Sequence, residues 1–286
     1  FFHYDFISCP IVYSGQKIKT QLISNSNKAI NINLFVKYWG ENDKLIKLNS
    51  EDFFFQNNES KNIEWDVPDT GSNPIAQIGI SISSSEKSSG KLLVNYLDIS
   101  GEPKITFKKP EHIASPKRGV SHDDTPFYGH MWKNNFVQAI DKWESRWKES
   151  FRITQNIGRG VLFTGNDKWK NYSVSSKLNF HLVKSGGVIA RVQGLKRYYA
   201  LEVTAENKLR IAKMYYELET LKEVDFNFEF FTDYNLTLQV DNNNIKGYLD
   251  GKLIIEADDT NNPLAFGGAG IVAEDGTMCT EEISIS

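Results

Sequence analysis

Apolar residues recur at every second position in "KAININLFVKYW", where Ile30, Ile32, Leu34, Val36 and Tyr38 fall on one side of an extended chain. A period of two predicts a half-buried strand. "IEWDV" and "IAQIGISI" follow, split by the turn-forming "PDTGSNP", and the polar "SSSEKSSG" leads into "KLLVNYLDI". Short strands at this spacing over residues 1–109 predict a small immunoglobulin-like β-sandwich.

The pattern then lapses. "KKPEHIASPKRGVSHDDTPFY" holds three prolines and little periodicity, so residues 110–129 read as a linker. In "MWKNNFVQAIDKWESRWKESF", Trp132, Phe136, Ile140, Trp143 and Trp147 recur every three or four residues, which predicts a helix with one aromatic stripe. Such a stripe serves core or interdomain packing, or else a sugar platform. From Phe151 onward the strand pattern returns for eight or nine segments. Tyr234, Leu236, Leu238 and Val240 share a face, opposite Asn235, Thr237 and Gln239. Asp250-Gly251 in "LDGKL" is a strong hairpin signal. Residues 130–286 therefore read as a larger antiparallel sandwich with a short helical or aromatic lead-in.

The succession of Trp169, "YSVS", "GGVIARV", "RYYALEV", "LTLQV", "GYLDGKLI" and "GGAGI" resembles the concanavalin A-like, laminin-G-like jelly rolls. It is similar to the domains of the 3-keto-disaccharide hydrolase group. "IGRGVLFTGNDKWKNYSVSSKL" with "ARVQGLKRYYALEV" resembles the region that follows the catalytic domain in bacterial ADP-ribosylglycohydrolase family proteins. "HYDF", "EWDVPDTGSNPIAQIGISI" and "LLVNYLDISGEP" resemble the sandwich that precedes the jelly roll there. The resemblance implies an all-β accessory region, a bacterial cytoplasmic setting and a carbohydrate or ADP-ribose-like ligand, with either a catalytic domain upstream of Phe1 or a stand-alone relative of such proteins. That catalytic domain is helical and holds two magnesium ions through aspartate-rich motifs. Asp123-Asp124 and Asp258-Asp259 lack its helical frame and read as solvated loop acids.

Composition narrows the partners. Against 36 acidic residues stand 33 Lys and Arg, a net charge of −3, which gives no electrostatic case for nucleic acid or an anionic membrane. No run of about 18 apolar residues marks a membrane-spanning helix. Cys9 and Cys279 are too few for a disulfide framework or metal cluster, and read as one bridge or two free thiols. His122, Asp123, Asp124 and His130 offer metal-ligand chemistry but lie at the linker, where solvent exposure is expected. No acidic loop has calcium-binding spacing, so no cofactor is expected.

Hydrolytic chemistry finds little. Gly158-Arg159-Gly160 reads as a short glycine-rich turn without the βαβ unit of a dinucleotide site. Glycoside cleavage needs two carboxyls flanking a cleft. Glu217 and Glu219 have suitable spacing but read as an exposed hairpin end, and Glu202 stands alone on its face.

The hairpin "GGVIARVQGLKRYYALEV" carries the remaining candidate site. A four-residue turn at "GLKR" pairs Gln193 with Tyr198, Arg191 with Ala200 and Ile189 with Glu202. Val188, Ala190, Val192, Tyr199, Leu201 and Val203 then form a core face, and Arg191, Gln193, Tyr198 and Glu202 share the other. That second face suits a saccharide or ribose-phosphate ligand, a solvated Arg191–Glu202 ion pair, or a seal between the two domains. The function expected is non-catalytic recognition, with a glycoside-processing enzyme of the concanavalin A-like fold and a structural or oligomerisation module as alternatives.

Overall fold

In the computed structural model, which describes residues 10–40, 43–110, 131–144 and 148–286, extended strands account for nearly all regular structure. No helix among the described residues is long and apolar enough to cross a membrane. The first seven strands are β1 (Lys17–Ser26), β2 (Ile30–Trp39), β3 (Leu45–Asn49), β4 (Phe53–Phe55), β5 (Glu59–Asp66), β6 (Ile75–Ser83) and β7 (Gly90–Ser100). They form one sheet in the order β5-β1-β7, and another in which β2 is flanked by β6 on one side and by β3 and β4 on the other. The alternation in β2 places Ile30, Ile32, Leu34 and Val36 in the core, facing Ile18 and Leu22 of β1. Thr20 is also inside, and its hydroxyl donates to the Tyr96 carbonyl at 2.7 Å, so the buried polar atom is satisfied.

The second sandwich takes β8 (Ile105–Phe107), a 3-10 turn at Met131–Asn135, and thirteen more strands. These are β9 (Val137–Ala139), β10 (Lys142–Glu144), β11 (Phe151–Thr164), β12 (Tyr172–Leu182), β13 (Ser185–Gly194), β14 (Arg197–Thr204) and β15 (Lys208–Tyr215). They continue with β16 (Glu217–Asp225), β17 (Asp233–Asp241), β18 (Asn244–Leu249), β19 (Lys252–Asp258), β20 (Gly268–Thr280) and β21 (Ile283–Ile285). One layer runs β16-β15-β14-β13-β20-β11, and the other β12-β17-β18-β19; β20 passes from the first to the second. Val188, Leu201 and Ile211 from the first layer meet Val174, Leu236, Leu238 and Ile245 from the second, in a continuous core. This is an all-β, two-layer jelly-roll arrangement.

Two readings of the sequence need correction. Residues 131–144 form no α-helix: Trp132 comes from a short 3-10 turn, Phe136 from the bend after it and Trp143 from a short strand, yet all three converge on Phe151 with ring centroids 5.3–5.6 Å away. The aromatic stripe was core packing, and its spacing imitated a helical period. Ile140 packs at the edge of the same core, and Trp147 lies outside the described residues.

The expected linker also falls almost wholly outside the described residues, with Asp123, Asp124, His112, His122 and His130. The join between the sandwiches is visible from either side of it. β8 pairs with β21, and Tyr13 inserts between Phe107 and Trp169. Trp132 Nε1 donates to Ser72 Oγ at 3.3 Å, and Asn135 Nδ2 donates to the Ser72 carbonyl at 2.8 Å.

The second correction concerns the hairpin. Gly194 pairs with Arg197, so the turn is where "GLKR" predicts, but beyond it Ala190 pairs with Tyr199 and Ile189 with Ala200. The difference is a bulge between Ala190 and Gly194, with Arg191 in the left-handed region at φ 49°. The bulge turns Val192 out of the expected core face and sends Arg191 to the opposite side.

Candidate functional site

Arg191, Gln193, Tyr198 and Glu202 do not share a face. Arg191 lies on the core side, where its backbone N–H donates to Tyr172 Oη at 2.7 Å. Its guanidinium donates to the carbonyls of Lys170, Asn242 and Leu264 and to Asn171 Oδ1. It ties three loops together at one rim and makes no ion pair with Glu202. Nearby, Tyr199 Oη donates to Asp259 Oδ2 at 2.6 Å, and the Lys213 ammonium sits 2.7 Å from the same oxygen. Asp259 is thus a buried anchor for the loop before β20, whereas the sequence suggested a solvated acid.

Tyr198 and Glu202 belong to the other face of β14, where they are 1% and 0% exposed. The partner there is Arg159, from the Gly-Arg-Gly stretch, which the sequence read as a turn and the structure places inside β11. Arg159 Nη2 lies 2.7 Å from Glu202 Oε2, Nη1 lies 2.8 Å from Glu274 Oε2, and Nε donates to Tyr198 Oη at 3.3 Å. Arg210 and Lys184 complete the network at 2.6 Å from Glu202 and Glu274. Burial alone would raise the Glu274 carboxyl, but donors from Lys184, Arg159 and Ser185 outweigh it and hold the group down at about 2. Beyond this network the face is filled by Ile189, Val192, Ala200, Met214 and Val272. These carboxylates are structural in their surroundings.

An open cleft lies elsewhere, on the outer side of β12. Register brings its residues together: Asn179 of β12 pairs with Asp233 of β17 and with Cys279 of β20, and Cys279 pairs with Arg152 of β11. The cleft has a volume of about 580 Å³ and is also lined by Glu149, Lys177, His181, Phe231 and residues 280–282. Asn179 Nδ2 donates to Asp233 Oδ1 at 2.7 Å and Lys177 Nζ lies 2.8 Å from Oδ2, so the carboxylate is fixed and its pKa lowered, first by the Asn179 bond and then by Lys177.

Phe231 forms the rim. It is 72% exposed and left-handed at φ 60°, with its backbone N–H donating to the Phe180 carbonyl at 2.7 Å. Its ring lies 5.6 Å from the His181 imidazole at 31°. A bulky residue in that region costs about 1–3 kcal/mol, and holding an aromatic ring in water adds to the cost. The fold thus presents a ring to solvent at some expense.

At the cleft floor, Cys279 Sγ lies 3.5 Å from His181 Nε2 and 3.9 Å from Glu149 Oε1, and Arg152 Nη2 lies 3.2 Å from His181 Nδ1. The guanidinium can only donate, so Nδ1 accepts, Nε2–H points at sulfur, and the thiol points at Glu149. Burial, followed by Glu149, pushes the thiol up to about 11, and burial with Arg152 lowers the imidazole. That polarity keeps the thiol protonated and makes it a poor nucleophile. Among the described residues, no group of three His, Cys, Asp or Glu side chains is placed to hold a metal ion.

Sequence reasoning passed over this cleft because its residues come from four separate segments, and "EFFTDY" carries no period that marks Phe231. Glu217 and Glu219 are exposed at a hairpin end.

No protein-family model matches the chain, and no curated protein matches it. Among solved structures, it is similar to the carbohydrate-binding module CBM66 from Bacillus subtilis at 16% identity, covering 53% of this chain and 95% of that one, with a TM-score of 0.49. It is similar to the GH43 protein BlXynB from Bacillus licheniformis at 13% identity, over 53% of this chain and 36% of that one, with a TM-score of 0.42. The alginate lyase AlgAT5 of polysaccharide lyase family 7 matches at 10% identity, over 53% of this chain and 94% of that one, with a TM-score of 0.40. These structural neighbours are thus a carbohydrate-binding module, a glycoside hydrolase and a polysaccharide lyase.

Proposed function

We propose that the chain binds carbohydrate without cleaving it, and that the ligand lies in the cleft beside Phe231. The observation that carries this reading is the strained, solvent-facing ring above polar groups already fixed by one another. A sugar ring stacks its C–H face on an aromatic ring while its hydroxyls bond to ordered planar side chains. Asn179 and Asp233 supply such groups, and their mutual bonds reduce the ordering needed on binding.

Of the two ligand classes left open by the sequence, a neutral glycan fits better than ADP-ribose. Glu149, Asp233, Glu281 and Glu282 line the cleft; Asp233 is paired with Lys177 and Glu281 with Lys148. A diphosphate there would meet this group of carboxylates. The setting we propose is the one implied by the sequence pattern, an accessory region of an ADP-ribosylglycohydrolase-like protein.

The glycosidase alternative needs a carboxyl kept protonated near neutral pH. Glu202 and Glu274 do face each other, but Arg159 stands between them, and Glu274 is held at about 2. Titration calorimetry of the whole chain against a panel of neutral oligosaccharides and against ADP-ribose tests the proposal. Heat with at least one neutral glycan and none with ADP-ribose is expected; silence across the glycans overturns it.

A further inference from the structure

A second exposed aromatic group lies where the β13–β14 turn meets the β15–β16 hairpin. Tyr216 is 57% exposed and left-handed at φ 66°, and Tyr215 beside it is also exposed. Their rings meet edge to face at 5.4 Å. The Arg197 guanidinium lies over both, 5.3 Å from the Tyr215 ring and 4.9 Å from the Tyr216 ring, and donates to Tyr216 Oη. The Tyr216 N–H donates to the Lys196 carbonyl at 2.8 Å, which fixes one hairpin tip against the other. As with Phe231, the backbone bears strain to hold an aromatic ring in water. Gln193, the fourth sequence candidate, sits at this rim; its Nε2 donates to the Phe266 carbonyl at 2.9 Å and steadies a further exposed ring.

The charge over these rings is basic, although Glu217 and Glu219 are exposed on the same hairpin. Arg197 contacts tyrosine rings and a hydroxyl but no carboxylate among the described residues, and Lys196 beside it is exposed. Most of the guanidinium's five N–H donors are left for an anion, in the fork geometry that suits a carboxylate. A flat face for stacking and a fork for a carboxylate, side by side, fit one chemical class. From this geometry we infer that Arg197, Tyr215 and Tyr216 form a second saccharide site, selective for acidic sugars of the uronate type.

The site stands apart from the cleft and does not depend on it. β13 starts just after β12 leaves the cleft and ends at the turn beside Tyr216; its ten residues span ~30 Å. A polysaccharide with both neutral and uronate units could therefore be held at two points.

The probes are a polygalacturonate hexamer and a neutral hexasaccharide bound in the cleft, titrated into the full chain. The variants are Tyr216→Gly, Arg197→Gln and Phe231→Gly. Glycine suits a left-handed position, so Tyr216→Gly keeps the hairpin while removing the ring. Both Tyr216→Gly and Arg197→Gln should weaken uronate binding by about tenfold or more, leaving the neutral ligand unchanged. Raising salt to 0.5 M should weaken the uronate alone. Uronate binding that ignores both variants, or no uronate binding at all, overturns the inference. So does a single-stranded oligonucleotide that binds these residues in preference to the uronate. Loss of neutral binding in Phe231→Gly alone concerns the cleft, so the two proposals fail separately.

Discussion

Arg159 and Glu202 form an ion pair at 2.7 Å on a sheet face where the glutamate has no exposed surface. The pair holds β11 to β14 across β20 and β13. Replacing Arg159 by methionine leaves Glu202 and Glu274 buried without their shared cation, which costs about 3–5 kcal/mol. Urea denaturation should show that loss, whereas Arg210→Met, at the rim, should cost less. Equal stability of Arg159→Met and the parent would refute a structural role for the network.

Glu274 sets an acid limit. Its carboxyl titrates at about 2 in the folded chain against 4.5 as an ordinary glutamate. A depressed carboxyl stabilises above its unfolded pKa and loses that contribution as pH falls towards the folded value. Thermal melts should therefore drop between pH 4.5 and about 2, and Glu274→Gln should flatten that part of the profile.

Two glycines separate backbone contact from side-chain contact. A β-carbon on Gly187 would lie 1.9 Å from the Leu201 carbonyl oxygen, and one on Gly247 would lie 2.5 Å from a Leu201 methyl. A methyl can move, whereas a carbonyl within the ladder cannot. Gly187→Ala should cost roughly 3 kcal/mol or more and Gly247→Ala about 1 kcal/mol, by chemical denaturation.

Cys279 should be slow to alkylate. With the thiol at about 11 instead of 9.0, its thiolate fraction at pH 8 falls ~100-fold. In a Cys9→Ser background, iodoacetamide labelling should lag a free thiol by that order, and Glu149→Gln should speed it. A labelling rate equal to that of a free thiol would contradict the polarity derived for the cleft floor.

The legible parts of this fold were those set by local chemistry. Alternation in β17 placed Tyr234, Leu236, Leu238 and Val240 inside, and Asp250-Gly251 adopts positive φ at both residues, 48° and 77°, as a tight hairpin requires. The illegible parts depend on partners distant in sequence. Trp132, Phe136 and Trp143 kept a helical spacing because each had to reach Phe151, not because the backbone coils. The bulge at Arg191 follows from carbonyls at 170, 242 and 264, which no local window contains. Arg159 was hidden because its acids lie 43 and 115 residues away. The cleft was hidden for the same reason.

Phe231→Gly bears most directly on the central claim. Glycine relieves the left-handed backbone at that position and removes the ring. Calorimetric titration with the best neutral glycan, paired with a thermal melt, should show affinity reduced by about tenfold or more while the melting temperature is unchanged or higher. Unchanged affinity in a folded Phe231→Gly protein would contradict the assignment of the cleft as a sugar site.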